Sequence, residues 1–185
     1  MPDPKSKDCS SQEAIATPNQ ISSSSSSTLK LGIFWSPLPG ITLVLPVVGH
    51  TGIIDSKGDS YDFGGYYISK NAPIFGSPTR FVQLDVNKVQ KTIDGLSPTQ
   101  VFDWAVDKSC KDYKDKHHNL FTQNCHHHVA HALNLMQYDG RSDWTMVDVA
   151  ILANLQGKHL NLRGIFLQWS GTFMISLYLL YNKFW

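Results

Sequence analysis

The chain has 185 residues, enough for one domain with a hydrophobic core. Its 16 Lys and Arg residues nearly balance its 15 Asp and Glu residues, so neither a basic surplus nor an acidic tail is present. This balance argues against nucleic acid as a partner. Three cysteines, Cys9, Cys110 and Cys125, are too few and too widely spaced for a disulfide framework, and they favour a reducing compartment.

The first part of the chain is polar and then becomes apolar. The serine run "SSSSSS" and its polar surroundings predict a disordered leader over residues 1–30, without a signal peptide. Residues 31–48 are apolar but contain Pro37, Pro39 and Pro46, which do not suit a single spanning helix. We expect an extended segment and a strand here, dipping at most shallowly into a membrane, with Trp35 near its surface.

The next residues predict a domain of strands followed by helices. Strands are expected over residues 50–55, 60–63 and 79–86, with "SKGD" as the turn between the first two. Ser97 begins a capping box for a helix that runs to about Lys116, and Asn124 caps a second helix. Asp143 is expected to cap a third helix, which carries Val147, Ala150, Ile151 and Leu155. This order indicates an α+β domain over residues 31–163.

Residues 164–181 contain no charged side chain. As a helix they would be about 27 Å long, against a hydrocarbon core of about 30 Å. A buried core helix is the alternative, and Gln168 favours it. Apolar residues all round the helix and aromatic residues at both ends favour a membrane anchor, which makes the lipid bilayer an expected partner.

Cys125 is the strongest candidate for a reactive residue. It would be the first residue of the helix that Asn124 caps, where backbone N–H groups and the helix dipole lower a thiol pKa. The same N–H groups can stabilise a developing oxyanion. A thiolate nucleophile also needs a base, and His50 is the candidate.

The hairpin predicted after His50 supplies a third candidate, Asp62. With a three-residue turn in which Gly58 is left-handed, Gly52 lies opposite Asp62, and His50 lies diagonally beside Asp62 on the same face. A two-residue turn would move Asp62 to the opposite face. The predicted catalytic residues Cys125, His50 and Asp62 therefore depend on one turn type.

Other interpretations of these residues are available. A single buried cysteine or a single histidine on a strand is usually structural. Cys125, His128 and His131, or His127 and His131, also have helical metal-ligand spacing, although no second cluster of ligands occurs. The histidine run can instead flank the nucleophile and favour its ionisation. We also expect four glycines, Gly49, Gly52, Gly64 and Gly65, to open space around His50.

Four blocks of sequence identify a family. "WSPLPGITLVLPVVGHTGI", "YDFGG", "FGSPTRFVQLD" and "HNLFTQNCHHHVAHALN" resemble the Reversion-to-ethylene-sensitivity and transmembrane protein 222 family over residues 31–181. More distantly, the order of histidine and cysteine resembles permuted papain-like thiol hydrolases of the PPPDE and lecithin–retinol acyltransferase types. That resemblance implies a small permuted papain-like fold, with His50 as base, Cys125 as nucleophile and Asp62 in the place of a third polar residue.

Two functions from different classes follow from these observations. The first is a membrane-anchored cysteine hydrolase or acyl-transfer enzyme that needs no cofactor and acts on a lipidated or conjugated protein. The second is a non-catalytic regulator that binds another membrane protein, such as a signalling receptor. The family implies residence in the endoplasmic reticulum or Golgi. Lys158 and Arg163 before the anchor, against Lys183 after it, predict a cytosolic domain.

Overall fold

The structure is a computed structural model that describes residues 29–184. The predicted leader, apart from its last two residues, and Cys9 lie outside this range. Within the described residues, one antiparallel sheet of six strands is accompanied by five α-helices, the last of them apolar. The predicted α+β class with a C-terminal hydrophobic helix is therefore confirmed.

The sheet has two buried faces of different composition. Its strands are β1 (Gly32–Pro37), β2 (Gly49–Ile54), β3 (Ser60–Phe63), β4 (Ile68–Lys70), β5 (Arg80–Gln83) and β6 (Lys158–His159), in the order β4-β3-β2-β1-β5-β6. Successive side chains of a strand point to opposite faces. Ile33 of β1 therefore joins the main core under the helices, whereas Phe34 joins a smaller cluster with Ile54 and Phe81.

The helices form as their capping residues dictate. They are α1 (Ile41–Val44), α2 (Pro98–Tyr113), α3 (Cys125–Leu135), α4 (Met146–Leu155) and α5 (Leu162–Phe184). Ser97 forms the predicted capping box, although α2 ends at Tyr113 and not near Lys116. Asn124 caps α3 as predicted, and it also forms a capping box with His127. Apolar residues of α2 and α3, such as Phe102 and Leu133, complete the main core.

The expected cap of α4 was wrong. Its cap is Thr145, because the Thr145 hydroxyl and the Asp148 carboxylate satisfy each other's backbone N–H groups, whereas Asp143 pairs with Arg141. Three of its apolar residues, Val147, Ile151 and Leu155, are exposed. The helix packs on the domain with its other face, where Val149 and Ala153 are buried.

Helix α5 extends the predicted apolar segment at both ends. Its 23 residues are long and apolar enough to cross a membrane, and most of them are exposed. Only Gly164 and Gln168 are buried along the described helix, because its first half packs against the domain. The chain therefore carries one helix with the length and composition of a membrane span.

The tryptophan of the proline-rich segment is not at the surface. Trp35 lies in β1 and is 1% exposed. A Cβ atom at Gly49 would lie 2.0 Å from the Trp35 ring, and one at Gly52 would lie 2.3 Å from the Phe34 ring. These glycines therefore make room for core aromatic rings, and the expectation that they open space around His50 was wrong.

Candidate thiol site

The β2–β3 hairpin brings His50 and Asp62 together. Gly58 has a φ of 96°, and Ile53 pairs with Tyr61, which sets Gly52 opposite Asp62. This is the three-residue turn and the register that the sequence predicts. His50 and Asp62 are consequently diagonal neighbours on one face of the sheet.

The His50 and Asp62 side chains form a buried contact. His50 Nε2 lies 2.8 Å from Asp62 Oδ2, and the two residues are 3% and 1% exposed. The backbone N–H of Ile74 also donates to Asp62 Oδ2, at 3.1 Å, which fixes the carboxylate from a second side. Because Asp62 engages Nε2, the ring leaves Nδ1 to face another partner.

That other partner is Cys125, the first residue of α3. Asn124 caps this helix: its Oδ1 accepts from the backbone N–H of His127 at 3.1 Å. The Asn124 side-chain amide also donates to the Leu120 carbonyl at 2.6 Å, which ties the cap to the preceding loop. Helix α3 packs on β2, and this packing places the Cys125 thiol beside His50, close enough for each group to shift the pKa of the other. The structure thus brings the three predicted catalytic residues together.

The carboxylate changes the electrostatics of His50. Burial alone lowers the pKa of His50, but hydrogen bonds to Asp62 and Cys125 and their negative charges raise that pKa to about 9. The imidazole is therefore protonated at neutral pH. A cation held in this position favours the thiolate form of its neighbour.

Cys125 responds in the opposite direction. Burial raises the pKa of the Cys125 thiol, but hydrogen bonds to His126 and His50 and the charges of both rings bring the pKa well below its ordinary value. His126 Nδ1 lies 3.4 Å from the sulfur. The opposite shifts of the two pKa values favour a thiolate on Cys125 beside an imidazolium on His50.

The start of α3 also offers hydrogen-bond donors. The first N–H groups of a helix have no partner within the helix, and Cys125 and His126 occupy the first two positions of α3. Such N–H groups can receive the oxyanion that forms when a thiolate attacks a carbonyl. The backbones of Asn119 and Gln123 hydrogen bond to each other in the loop that leads to this helix start.

Two features of the site are not readable from local sequence. The Phe75 ring lies over His50, with ring centroids 4.8 Å apart, and Ile74 supplies the second donor to Asp62. Both belong to the loop between β4 and β5, which returns to the site only through the fold. His126 was covered by the prediction that the histidine run favours ionisation of Cys125.

The alternative metal ligands do not converge. His128 points to Cys110, with Nε2 3.7 Å from the sulfur, and His131 pairs with Asp112 at 2.9 Å. His127 hydrogen bonds to Asn124. Within residues 29–184, no three His, Cys, Asp or Glu side chains are arranged to hold a metal ion.

Comparison with known proteins provides independent information about the chain. A sequence model described as RTE1-like matches residues 24–157, which include the whole thiol site. The Arabidopsis thaliana protein Reversion-to-ethylene sensitivity1 is 34% identical over 143 residues, which cover 70% of this chain. The chain spans only 57% of that relative's length. No solved structure gives a significant match, so the papain-like permutation stays a prediction.

Proposed function

The chain belongs to the RTE1-like family, and we propose that it is a membrane-anchored cysteine hydrolase or acyl-transfer enzyme. One observation carries the proposal: a buried thiol at a helix N-terminus is coupled to an imidazole that a buried carboxylate keeps protonated. Perturbed pKa values of this kind concentrate at functional sites.

The reaction follows from the geometry. The Cys125 thiolate attacks the carbonyl carbon of a thioester, ester or amide, and the N–H groups of α3 stabilise the oxyanion. The His50 imidazolium donates its proton to the leaving group as the carbonyl re-forms, which leaves an acyl-enzyme. His50, now neutral, takes a proton from water or from an acceptor as that molecule attacks the acyl carbonyl. The C–S bond then breaks, the acyl group leaves on the water oxygen or on the acceptor, and the Cys125 thiolate and the His50 imidazolium are restored. Asp62 orients the ring and stabilises its charge throughout.

The membrane supplies the context for the substrate. Helix α5 has the length and composition of a span, so the substrate would be a lipidated or conjugated protein at a membrane. We place the protein in the endoplasmic reticulum or Golgi. Lys158 and Arg163 precede the apolar segment and Lys183 follows it, which favours a cytosolic domain.

A second function is favoured by the relative's name. Reversion-to-ethylene sensitivity1 is named for an effect on ethylene sensitivity. This name is compatible with a regulator that binds another membrane protein, such as a signalling receptor. In that case the thiol site would be a remnant, and Cys125 would react no faster than a buried structural cysteine.

A thiol-directed acyl probe separates the two functions. Full-length protein in detergent is treated at pH 7 with an activated acyl ester that transfers its acyl group to reactive thiolates. We expect Cys125→Ala to abolish labelling, because Cys125 is the ionised thiol. Cys110→Ala is the matched control and should label like the wild type. Equal labelling of the two variants would overturn the enzyme proposal and favour the regulatory role.

A further inference from the structure

Residues 38–48, between β1 and β2, leave the sheet and pack against α5. We call them the proline wedge, since they include Pro39 and Pro46 and the short helix α1. A Cβ atom at Gly171 of α5 would lie 2.1 Å from the Leu43 carbonyl oxygen, so the two backbones touch there. Gln168 of α5 donates its side-chain amide to the Pro46 carbonyl at 2.6 Å.

The surface of the wedge is apolar. It contains no charged residue. Five of its apolar side chains are between 39% and 58% exposed: Ile41, Leu43, Val44, Leu45 and Val47. Their exposed surface is continuous with α5, whose own side chains are exposed on the same stretch, for example Phe173. Exposure of so much contiguous apolar surface to water would be unfavourable.

Hydrogen bonds within the wedge satisfy part of its polar backbone. The Thr42 hydroxyl accepts from the Leu38 N–H at 2.7 Å and donates to the Val48 carbonyl at 2.7 Å, which closes the loop at its base. The Leu45 N–H donates to the Ile41 carbonyl at 2.8 Å. Thr42 itself is 1% exposed. These bonds replace hydrogen bonds that water would otherwise make.

Neighbouring helices satisfy two further carbonyl groups. Gln168 of α5 donates to Pro46, and Asn154 of α4 donates to Val47 at 3.0 Å. The prolines have no N–H group to satisfy. Irregular backbone is tolerated at membrane depth only when its polar groups find such partners. Gln168, which argued against a span in the sequence, is thus fully buried against the wedge.

The length of α5 fixes the depth of the wedge. From Gly171 to its end at Phe184, α5 rises only about 20 Å, at about 1.5 Å per residue. A hydrocarbon core is about 30 Å thick. For α5 to cross the core, the lipid must therefore extend past Gly171 toward Gly164. Leu43, which touches Gly171, must then lie roughly 10 Å inside the hydrocarbon.

We propose that the proline wedge is embedded in the hydrocarbon layer beside α5, so that the domain is held in the membrane by two elements. Lipid acyl chains contact the exposed apolar side chains of the wedge. Because His50 follows the wedge by two residues, at the start of β2, the thiol site then lies close to the membrane surface. The proposal does not depend on Cys125 being catalytic.

Photolabelling of the unmodified protein tests the proposal. Full-length chain is reconstituted in phosphatidylcholine vesicles that contain a phosphatidylcholine with a diazirine on its acyl chain, and the labelled residues are mapped by mass spectrometry. We expect labels on residues 41–45 as well as on the second half of α5. Lys57, at the far end of β2, should carry none. If α5 is labelled but residues 41–45 carry no more label than Lys57, the proposal is overturned.

A site-directed probe distinguishes lipid from protein as the occupant. Val44→Cys and the control Lys57→Cys are made with the native cysteines changed to serine, and each carries an environment-sensitive NBD label. Nitroxide groups on lipid acyl chains should quench most of the emission at Val44 and little at Lys57. A blue-shifted Val44 probe that these lipids do not quench would mean that a second copy or another protein covers the wedge, and would overturn the proposal. Circular dichroism checks that each variant folds.

Discussion

Two cysteine–histidine pairs share helix α3, and they have opposite electrostatics. Cys125 at the start of α3 is coupled to His50, whereas Cys110 of α2 lies 3.7 Å from His128 in the middle of α3. Both pairs are buried. The pKa of His50 is raised to about 9, while burial and the nearby positive charges of His131 and His50 lower the pKa of His128 to about 3.

The two histidines differ in the hydrogen-bond partner of the ring nitrogen that does not face the thiol. Asp62 accepts from His50 at 2.8 Å, whereas His128 Nδ1 has no hydrogen-bond partner among the described residues. Burial disfavours the imidazolium in both places, and at His50 the Asp62 carboxylate, together with Cys125, reverses that effect. His128 therefore stays neutral and acts as a core residue. Proximity of a thiol and an imidazole is thus insufficient for a reactive site, and the third residue decides.

The largest effect is expected when the Asp62 carboxylate is removed. Asp62→Asn keeps the volume of the side chain and its ability to accept from Ile74, but removes the charge. Burial should then lower the pKa of His50, and the Cys125 thiol pKa should rise as its cationic partner is lost. We expect the rate of iodoacetamide alkylation of Cys125 at pH 6 to fall by at least about tenfold, because the thiolate is the nucleophile.

The loss of alkylation rate in Asp62→Asn should depend on pH. The wild-type thiol stays ionised until the pH falls through its lowered pKa, so the loss in Asp62→Asn should be large at pH 6 and should shrink as the pH rises toward the raised thiol pKa of the variant. Asp112→Asn is the matched control. Asp112 Oδ2 lies 2.9 Å from His131 Nε2, so this carboxylate pairs with a histidine other than the partner of Cys125. An Asp62→Asn rate equal to the wild type at pH 6 would show that the carboxylate does not set the reactivity of the site.

Local signals in the sequence predicted most of this site. Gly58 in a left-handed turn fixes the register that joins His50 to Asp62, and the Asn124 cap places Cys125 at a helix start. Both signals act within a few residues, where backbone preferences dominate. The coupling of Cys125 to His50 came from the order of the motifs and the family resemblance, not from any local pattern.

The parts that the sequence could not predict depend on packing between distant segments. Trp35 is in an apolar run beside prolines, and nothing local indicates that Gly49 makes room for its ring inside the domain. Gln168 counted against a membrane helix until its partner, the Pro46 carbonyl 122 positions away, was known. The position of Phe75 over His50 likewise follows from the return of a loop across the sheet.

A smaller effect is expected for the pair of Cys110 and His128, where the free energy of unfolding should depend on the protonation of His128. The pKa of His128 is about 3 in the folded chain against about 6.5 unfolded, so the unfolded chain binds more protons between these values. The contribution of neutral His128 to stability is complete above about pH 6.5 and is lost as the pH falls toward 3. We expect the free energy of unfolding to fall by up to about 1.4 kcal/mol per pH unit from this group.

His128→Leu removes that proton and should flatten the decline between pH 6 and pH 4, whatever its absolute stability. The measurement is denaturant unfolding in detergent, followed by tryptophan fluorescence at several pH values, and the slopes are compared. Identical slopes in the variant and the wild type would mean that His128 is protonated in the fold, and the contrast between the two imidazoles would fail.

The smallest expected effect concerns His126, the other partner of Cys125. Its Nδ1 lies 3.4 Å from the sulfur, but its ring is partly exposed, so water can replace the hydrogen bond in His126→Gln. The buried His50 and Asp62 have no such replacement, because their charges act in a medium of low dielectric constant. We expect iodoacetamide alkylation at pH 6 to slow by only a few-fold, less than in Asp62→Asn. Measuring both variants in one pH series decides the matter. A larger loss in His126→Gln would mean that the histidine run after Cys125, rather than the carboxylate behind His50, ionises the thiol.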